Sequence, residues 1–81
     1  MVETVDVEAG IRKIVCGISG IPEDANAQAD LYLDLGMASV HALQLLTELE
    51  DHFGIQIPDD DFVEATSIGK LIALVEKLSK N

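Results

Sequence analysis

The chain has 81 residues, enough for one small domain and too few for two, so its function either sits on one unit or is lent to partners. Hydrophobic residues make up 48% while aromatics are only 4% and tryptophan is absent, which argues against disorder and leaves Leu, Ile and Val to build the core. Fifteen acidic residues against five basic ones give a formal net charge of −10, a field that disfavours nucleic acid and anionic membranes and favours proteins with basic patches.

The single Cys16 cannot form an internal disulfide, the N-terminus lacks a basic-plus-apolar leader, and no apolar run approaches the ~20 residues that span a bilayer. A reducing, cytoplasmic setting without membrane insertion is expected.

From Thr4 to about Ser19 the apolar residues Val7, Ile11, Ile14, Val15 and Ile18 form one stripe at the helical period, and predict a first helix. Thr4 or Asp6 can cap its start, Gly20 can take a left-handed exit, and Pro22 blocks continuation. Residues 21–38 carry Pro22, Asn26, Gly36 and scattered acids without a helical period, while Leu31, Leu33 and Leu35 alternate. A long loop with leucine anchors is expected there, packed down across the helices.

A second helix begins at Ser39, with Val40, Leu43, Leu46, Leu49 and Phe53 stepping along one face until Gly54. Ile55 and Ile57 alternate too briefly for a sheet, and Asp59 to Val63 predict a short helical turn with Pro58 at its first position. Thr66 or Ser67 can cap a last helix that turns Ile68, Leu71, Ile72, Val75 and Leu78 inward, with Lys77 and Lys80 near its C-terminal end. The expected fold is an all-α four-helix bundle of three main helices and one short one, a single domain over 1–81 with a long loop between the first two helices. With every strong apolar stripe partnered internally, a monomer is expected.

Most of the candidate chemistry reduces to ordinary structure. His41 and His52 are separated by ~16 Å of helix at 1.5 Å per residue, too far to hold one ion, and no Cys or further His completes a ligand set. Asp59, Asp60 and Asp61 lack the alternating ligands, central glycine and closing glutamate of a calcium loop, so they read as solvated helix-start acids. Cys16 beside an apolar stripe reads as a small packed side chain. No metal site and no catalytic residue is expected.

Ser39 is the informative position. Its hydroxyl ends a loop and opens an amphipathic helix, which fits an N-cap. A G-x-S-x-G nucleophile elbow would need glycine where Met37 and His41 stand. His41 lies ~200° around the helix from Ser39, so no base activates the hydroxyl. A serine at a helix start is well placed to carry a phosphodiester, because unpaired backbone N–H groups and the positive end of the helix dipole favour that charge.

The stretch Asp34-Leu35-Gly36-Met37-Ala38-Ser39-Val40 resembles the D-L-G-x-D-S-L signature of acyl carrier proteins, and the acidity and helix layout of nearly the whole chain fit as well. The resemblance implies that a phosphopantetheinyl transferase moves 4′-phosphopantetheine from coenzyme A onto Ser39. It further implies a non-catalytic carrier that holds acyl groups as thioesters and presents them to partner enzymes of fatty-acid, lipid or polyketide-type biosynthesis. Such partners would dock with basic patches on an acyl carrier of this charge. Bundle interiors in the family can also shelter the acyl chain, which here would engage the Leu43, Leu46, Ile68, Leu71 and Ile72 stripes.

Departures from the family pattern define what is particular here. Ala38 replaces the usual acid before the serine, Val40 replaces the usual leucine after it, and His41 and Gln44 stand where acids are common. Negative charge gathers instead at Glu48, Glu50, Asp51 and Asp59 to Asp61, either as a docking surface or as a solvated face. On the docking reading, Val40, Gln44, Glu48 and Asp51 are the expected contact residues of a specialised, free-standing carrier. A peptidyl or aminoacyl carrier is the alternative within the class, although its usual G-G-[HD]-S-L pattern is not met. An acidic interaction module without a prosthetic group is the alternative outside it.

Overall fold

The computed structural model describes residues 4–79, with side chains from Asp6 onward. Four helices follow in order, α1 (Thr4–Ser19), α2 (Ser39–Phe53), α3 (Asp59–Glu64) and α4 (Ile68–Ser79), and no strand occurs among the described residues. The all-α architecture with a long α1–α2 loop is the one the periodicity predicts. Lys80, expected near the end of α4, lies outside the described residues.

Helix α1 runs between Thr4 and Ser19 because one stripe can be buried along its full length: Val7, Ile11 and Val15 are buried, with Ile14 and Ile18 packed beside them. Gly20 stops it by taking a left-handed φ of 78° and donating its N–H to the Cys16 carbonyl at 2.8 Å. What caps the start lies outside the described residues, since Thr4 is already helical. Helix α1 packs against both α2 and α4, while α3 leans on α4. Gly10 permits the close approach of α2: a Cβ there would meet the Phe53 ring at 3.0 Å and His52 Nε2 at 3.1 Å.

Helix α2 faces the core differently from expectation. Leu45 and Leu49 are fully buried, whereas Val40 is 71% and Leu43 72% exposed. Seven of its positions are apolar, Val40, Ala42, Leu43, Leu45, Leu46, Leu49 and Phe53, an arc wider than one stripe. The arc that is used runs through Ala42, Leu45, Leu46, Leu49 and Phe53, all buried or packed against the core.

The α2–α3 connection is held from below. Ile57 is buried and donates its N–H to Glu50 Oε2 at 2.9 Å, so Glu50, named above among the clustered negative charges, is a structural ligand of the chain. Pro58 sits one position before α3 in extended backbone (φ −60°, ψ 138°) and its carbonyl accepts the Phe62 N–H at 3.0 Å, so Pro58 is the N-cap residue and Asp59 the first helical one. In α4, Ser67 is the cap, its Oγ accepting the Lys70 N–H at 3.2 Å. The buried face of α4 holds Ile68, Leu71, Val75 and also Leu74, with Ile72 and Leu78 at its margin.

The long loop is ordered by polar ties at both ends. Near its start, Arg12 Nη1 donates to the Glu23 and Ala25 carbonyls at 2.8 and 2.7 Å, while its Nε pairs with Glu8 at 2.8 Å. At the foot of α4, the Gly69 N–H donates to the Ala27 carbonyl at 2.9 Å and the Leu31 N–H to the Thr66 carbonyl at 2.8 Å. Leu31 is fully buried and Ile21 nearly so. Leucine alternation describes this segment poorly, because Leu33 is 86% exposed and Leu35 only half-buried.

Candidate functional site

The segment that delivers Ser39 is a single capped turn. Asp30 Oδ1 accepts the N–H groups of Tyr32 and Leu33 at 2.8 and 2.9 Å, and Asp34 Oδ2 accepts the Asp30 N–H at 2.9 Å. The Asp34 N–H and Leu35 N–H close back on the Asp30 carbonyl at 2.9 and 3.0 Å. This is a reciprocal cap with aspartates at both ends, and it explains the Asp34 that opens the seven-residue motif. The Met37 N–H then donates to the Leu31 carbonyl at 2.8 Å and Met37 itself is buried, which pins the chain two residues before Ser39. Gly36 supplies the left-handed φ of 77° between these ties.

The Asp30 carboxyl is held below its ordinary 3.8, first by the hydrogen bond from the Leu33 N–H. The Tyr32 N–H, the Thr66 side chain and the positive field of Lys70 act in the same direction, and desolvation opposes them. Burial pushes the neighbouring Tyr32 phenol up, and the Asp30 charge adds to that.

Ser39 is exposed and is the first helical residue of α2. The N-cap is therefore Ala38, in extended backbone (φ −80°, ψ 152°), and not Ser39 as expected. Ala38 has no side-chain acceptor to give, so the first turn is closed differently: the Ala38 carbonyl accepts the His41 N–H at 2.9 Å and His41 Nδ1 accepts the Ala38 N–H at 3.4 Å. The displacement by one residue frees the serine. Among the described residues its Oγ makes no hydrogen bond, and neither the Ser39 N–H nor the Val40 N–H meets an acceptor. No carboxylate occupies the first turn of α2. An exposed, unbonded hydroxyl beside open amides at the positive end of a helix suits a phosphodiester.

The other candidates fall where geometry leaves them. His41 and His52 occupy opposite ends of α2, and Asp59 to Asp61 form the first turn of α3. Cys16 is half-buried on α1. Val40, Gln44, Glu48 and Asp51 recur at helical spacing, within ~80° of one face of α2. Gln44 Nε2 donates to Glu48 Oε2 at 3.1 Å. Farther along, Glu48 and Asp51 border a shallow depression with Ile14 and His52. The Asp30–Asp34 cap and the tie from Glu50 to Ile57 were missed from sequence; the only available signal was an aspartate pair four residues apart ahead of the serine.

The bundle thus holds an exposed, unbonded hydroxyl at the start of α2, a geometry suited to covalent attachment. The chain belongs to the phosphopantetheine attachment site family, matching it over residues 9–75. Carriers of this family are non-catalytic, and phosphopantetheine is their prosthetic group. Among its relatives is the meromycolate extension acyl carrier protein of Mycobacterium tuberculosis, 28% identical over 76 residues that cover 93% of this chain and 66% of the relative. The protein of the same name from Mycolicibacterium aurum is 26% identical over 76 residues, covering 93% of this chain and 78% of that one. The chain thus spans just under two thirds of the M. tuberculosis relative. No helix among the described residues is long and apolar enough to cross a membrane.

Proposed function

We propose that this chain carries acyl intermediates as thioesters on a 4′-phosphopantetheine arm attached to Ser39 Oγ, and presents them to enzymes of a fatty-acid- or lipid-type biosynthesis. The observation that carries the reading is the free Ser39 hydroxyl beside the unpaired Ser39 and Val40 amides. In loading, Ser39 Oγ attacks the pantetheine phosphorus of coenzyme A, the phosphoanhydride bond breaks, and 3′,5′-ADP leaves. The serine proton passes to a base on the transferase, since no base among the described residues is bonded to Ser39. The open amides then face the phosphodiester, and the arm supplies the thiol that holds the acyl group. Tethering keeps the intermediate at high effective concentration around the carrier.

The kinship with carriers named for meromycolate extension supports an acyl over an aminoacyl cargo. We place partner docking on Val40, Gln44, Glu48 and Asp51, which share one face of the helix that Ser39 opens. We further read residues 1–81 as one carrier domain that works as a monomer. A cytoplasmic setting suits both the coenzyme A donor and the unpaired Cys16.

The test is intact mass after incubation with coenzyme A and broad-specificity phosphopantetheinyl transferases. One pantetheine phosphate should be gained by the native chain and none by Ser39→Ala. A native chain left unmodified by several transferases would favour an acidic interaction module instead.

A further inference from the structure

Exposed apolar side chains scattered singly over a surface carry no message, but here they are not scattered. Among the described residues four large hydrophobic side chains stand exposed, and three of them, Leu33, Val40 and Leu43, belong to the two segments that meet at Ser39. Val40 and Leu43 share a helix face with the docking residues already named. Leu33 does not: it stands on the loop, 86% exposed, and its position is built rather than slack. Its N–H is fixed to Asp30 Oδ1 at 2.9 Å, within the turn that Asp34 closes from the other end.

Leu33 also falls within one partner's reach of the serine. Leu31 and Met37 are joined by a 2.8 Å hydrogen bond, and Leu33 and Ser39 each lie two residues beyond one of them. At ~3.6 Å per residue the two are separated by no more than about 20 Å. A standard interface covers ~800 Å² on each partner, roughly 30 Å across. A footprint of that width that includes Ser39 has room for Leu33 as well.

Which enzyme makes such a footprint follows from the chemistry. On the carrier reading, on which this inference rests, later enzymes meet the far end of a flexible arm. Only the loading enzyme must bring its reacting centre to the serine oxygen itself. The first turn of α2 holds no acid, and Leu33 stands between the turn-bound carboxylates of Asp30 and Asp34 as an apolar side chain of that loop. The complement of Leu33 itself is apolar. We propose that Leu33 is a loop-borne contact for the phosphopantetheinyl transferase that loads Ser39, packing against an apolar surface of that enzyme beyond the contacts made by α2.

The experiment measures loading of the full chain by intact mass, with coenzyme A and a broad-specificity phosphopantetheinyl transferase, for the native protein, Leu33→Ser, Leu33→Met and Val63→Ser. Removing a buried leucine from an interface weakens binding roughly tenfold or more. Leu33→Ser should therefore raise KM for the carrier by about that factor with kcat kept, and the rise should persist at high salt. Leu33→Met should load like the native chain, as should Val63→Ser, which alters the fourth exposed side chain on α3. Thermal melts should coincide for native and Leu33→Ser proteins, separating lost contact from lost fold. An unchanged KM in Leu33→Ser, or an equal rise in Val63→Ser, overturns this proposal while leaving the carrier reading intact. A native chain that no transferase modifies overturns both.

Discussion

Asp30 and Asp34 cap the same turn from opposite ends, Asp30 receiving two backbone N–H groups on one carboxylate oxygen while Asp34 receives the N–H of Asp30 itself. The motif aspartate is thus a backbone ligand. Asp34→Ala should cost about 1 kcal/mol, the usual worth of a lost cap, and Asp34→Asn, which keeps an acceptor oxygen, should cost less. Denaturant midpoints of the two variants check this; equal losses would contradict it.

Acid should undo the same turn. The Asp30 carboxyl lies lower in the folded chain than its ordinary 3.8, so the folded state releases its proton more readily than the unfolded one. Its contribution is complete above the unfolded value and is lost as pH falls through the folded one. Asp30→Asn should flatten the acid limb of a stability-against-pH curve and leave the neutral region's slope unchanged. An unaltered acid limb would refute it.

Leu43 and Leu45 separate the two possible faces of α2. Leu45 is fully buried and Leu43 is 72% exposed, so Leu45→Ala should cost ~2–5 kcal/mol and Leu43→Ala less than ~0.5 kcal/mol. Chemical denaturation of both variants would reveal a reversed order if the opposite face were packed.

Two glycines of α1 should respond unequally to alanine. Nothing lies within 4 Å of a Cβ at Gly17, so Gly17→Ala should stabilise by up to ~1 kcal/mol through helix propensity. Gly10→Ala would press on Phe53 and His52 at 3.0 and 3.1 Å and should destabilise, or gain clearly less. Melting temperatures measured side by side decide the matter.

Charge reversal at Glu48 and Asp51 should slow association with an acyl-processing partner and weaken its salt dependence. Stopped-flow association rates at two ionic strengths are the measurement, and rates indifferent to both substitutions would remove this face from docking.

Much of this was legible from residue spacing. The stripe from Val7 to Ile18 and the glycine exits at Gly20 and Gly54 place two helices, because burial of one face and a left-handed exit are local demands. The orientation of α2 was not legible, since Leu43 and Leu45 are equally apolar and only contact with α1 selects between them. Ser39 could be located but not its freedom: a serine before an apolar helix reads as a cap, and the one-residue shift to Ala38 depends on the turn closed by His41. The aspartate cap escaped because polar ligation of backbone leaves no periodic trace.

Arg12 and Asp30 anchor the two halves of one loop with opposite sensitivities to acid. A guanidinium stays charged at any pH the fold survives, so the Glu23 and Ala25 carbonyls keep their donor while Asp30, once protonated, holds Tyr32 and Leu33 only weakly. Acidification should therefore unlatch the serine-bearing half first and leave the entry half clasped to α1. Amide exchange would record it as early loss of protection at Tyr32 and Leu33, with the Ala27–Gly69 bond outlasting them.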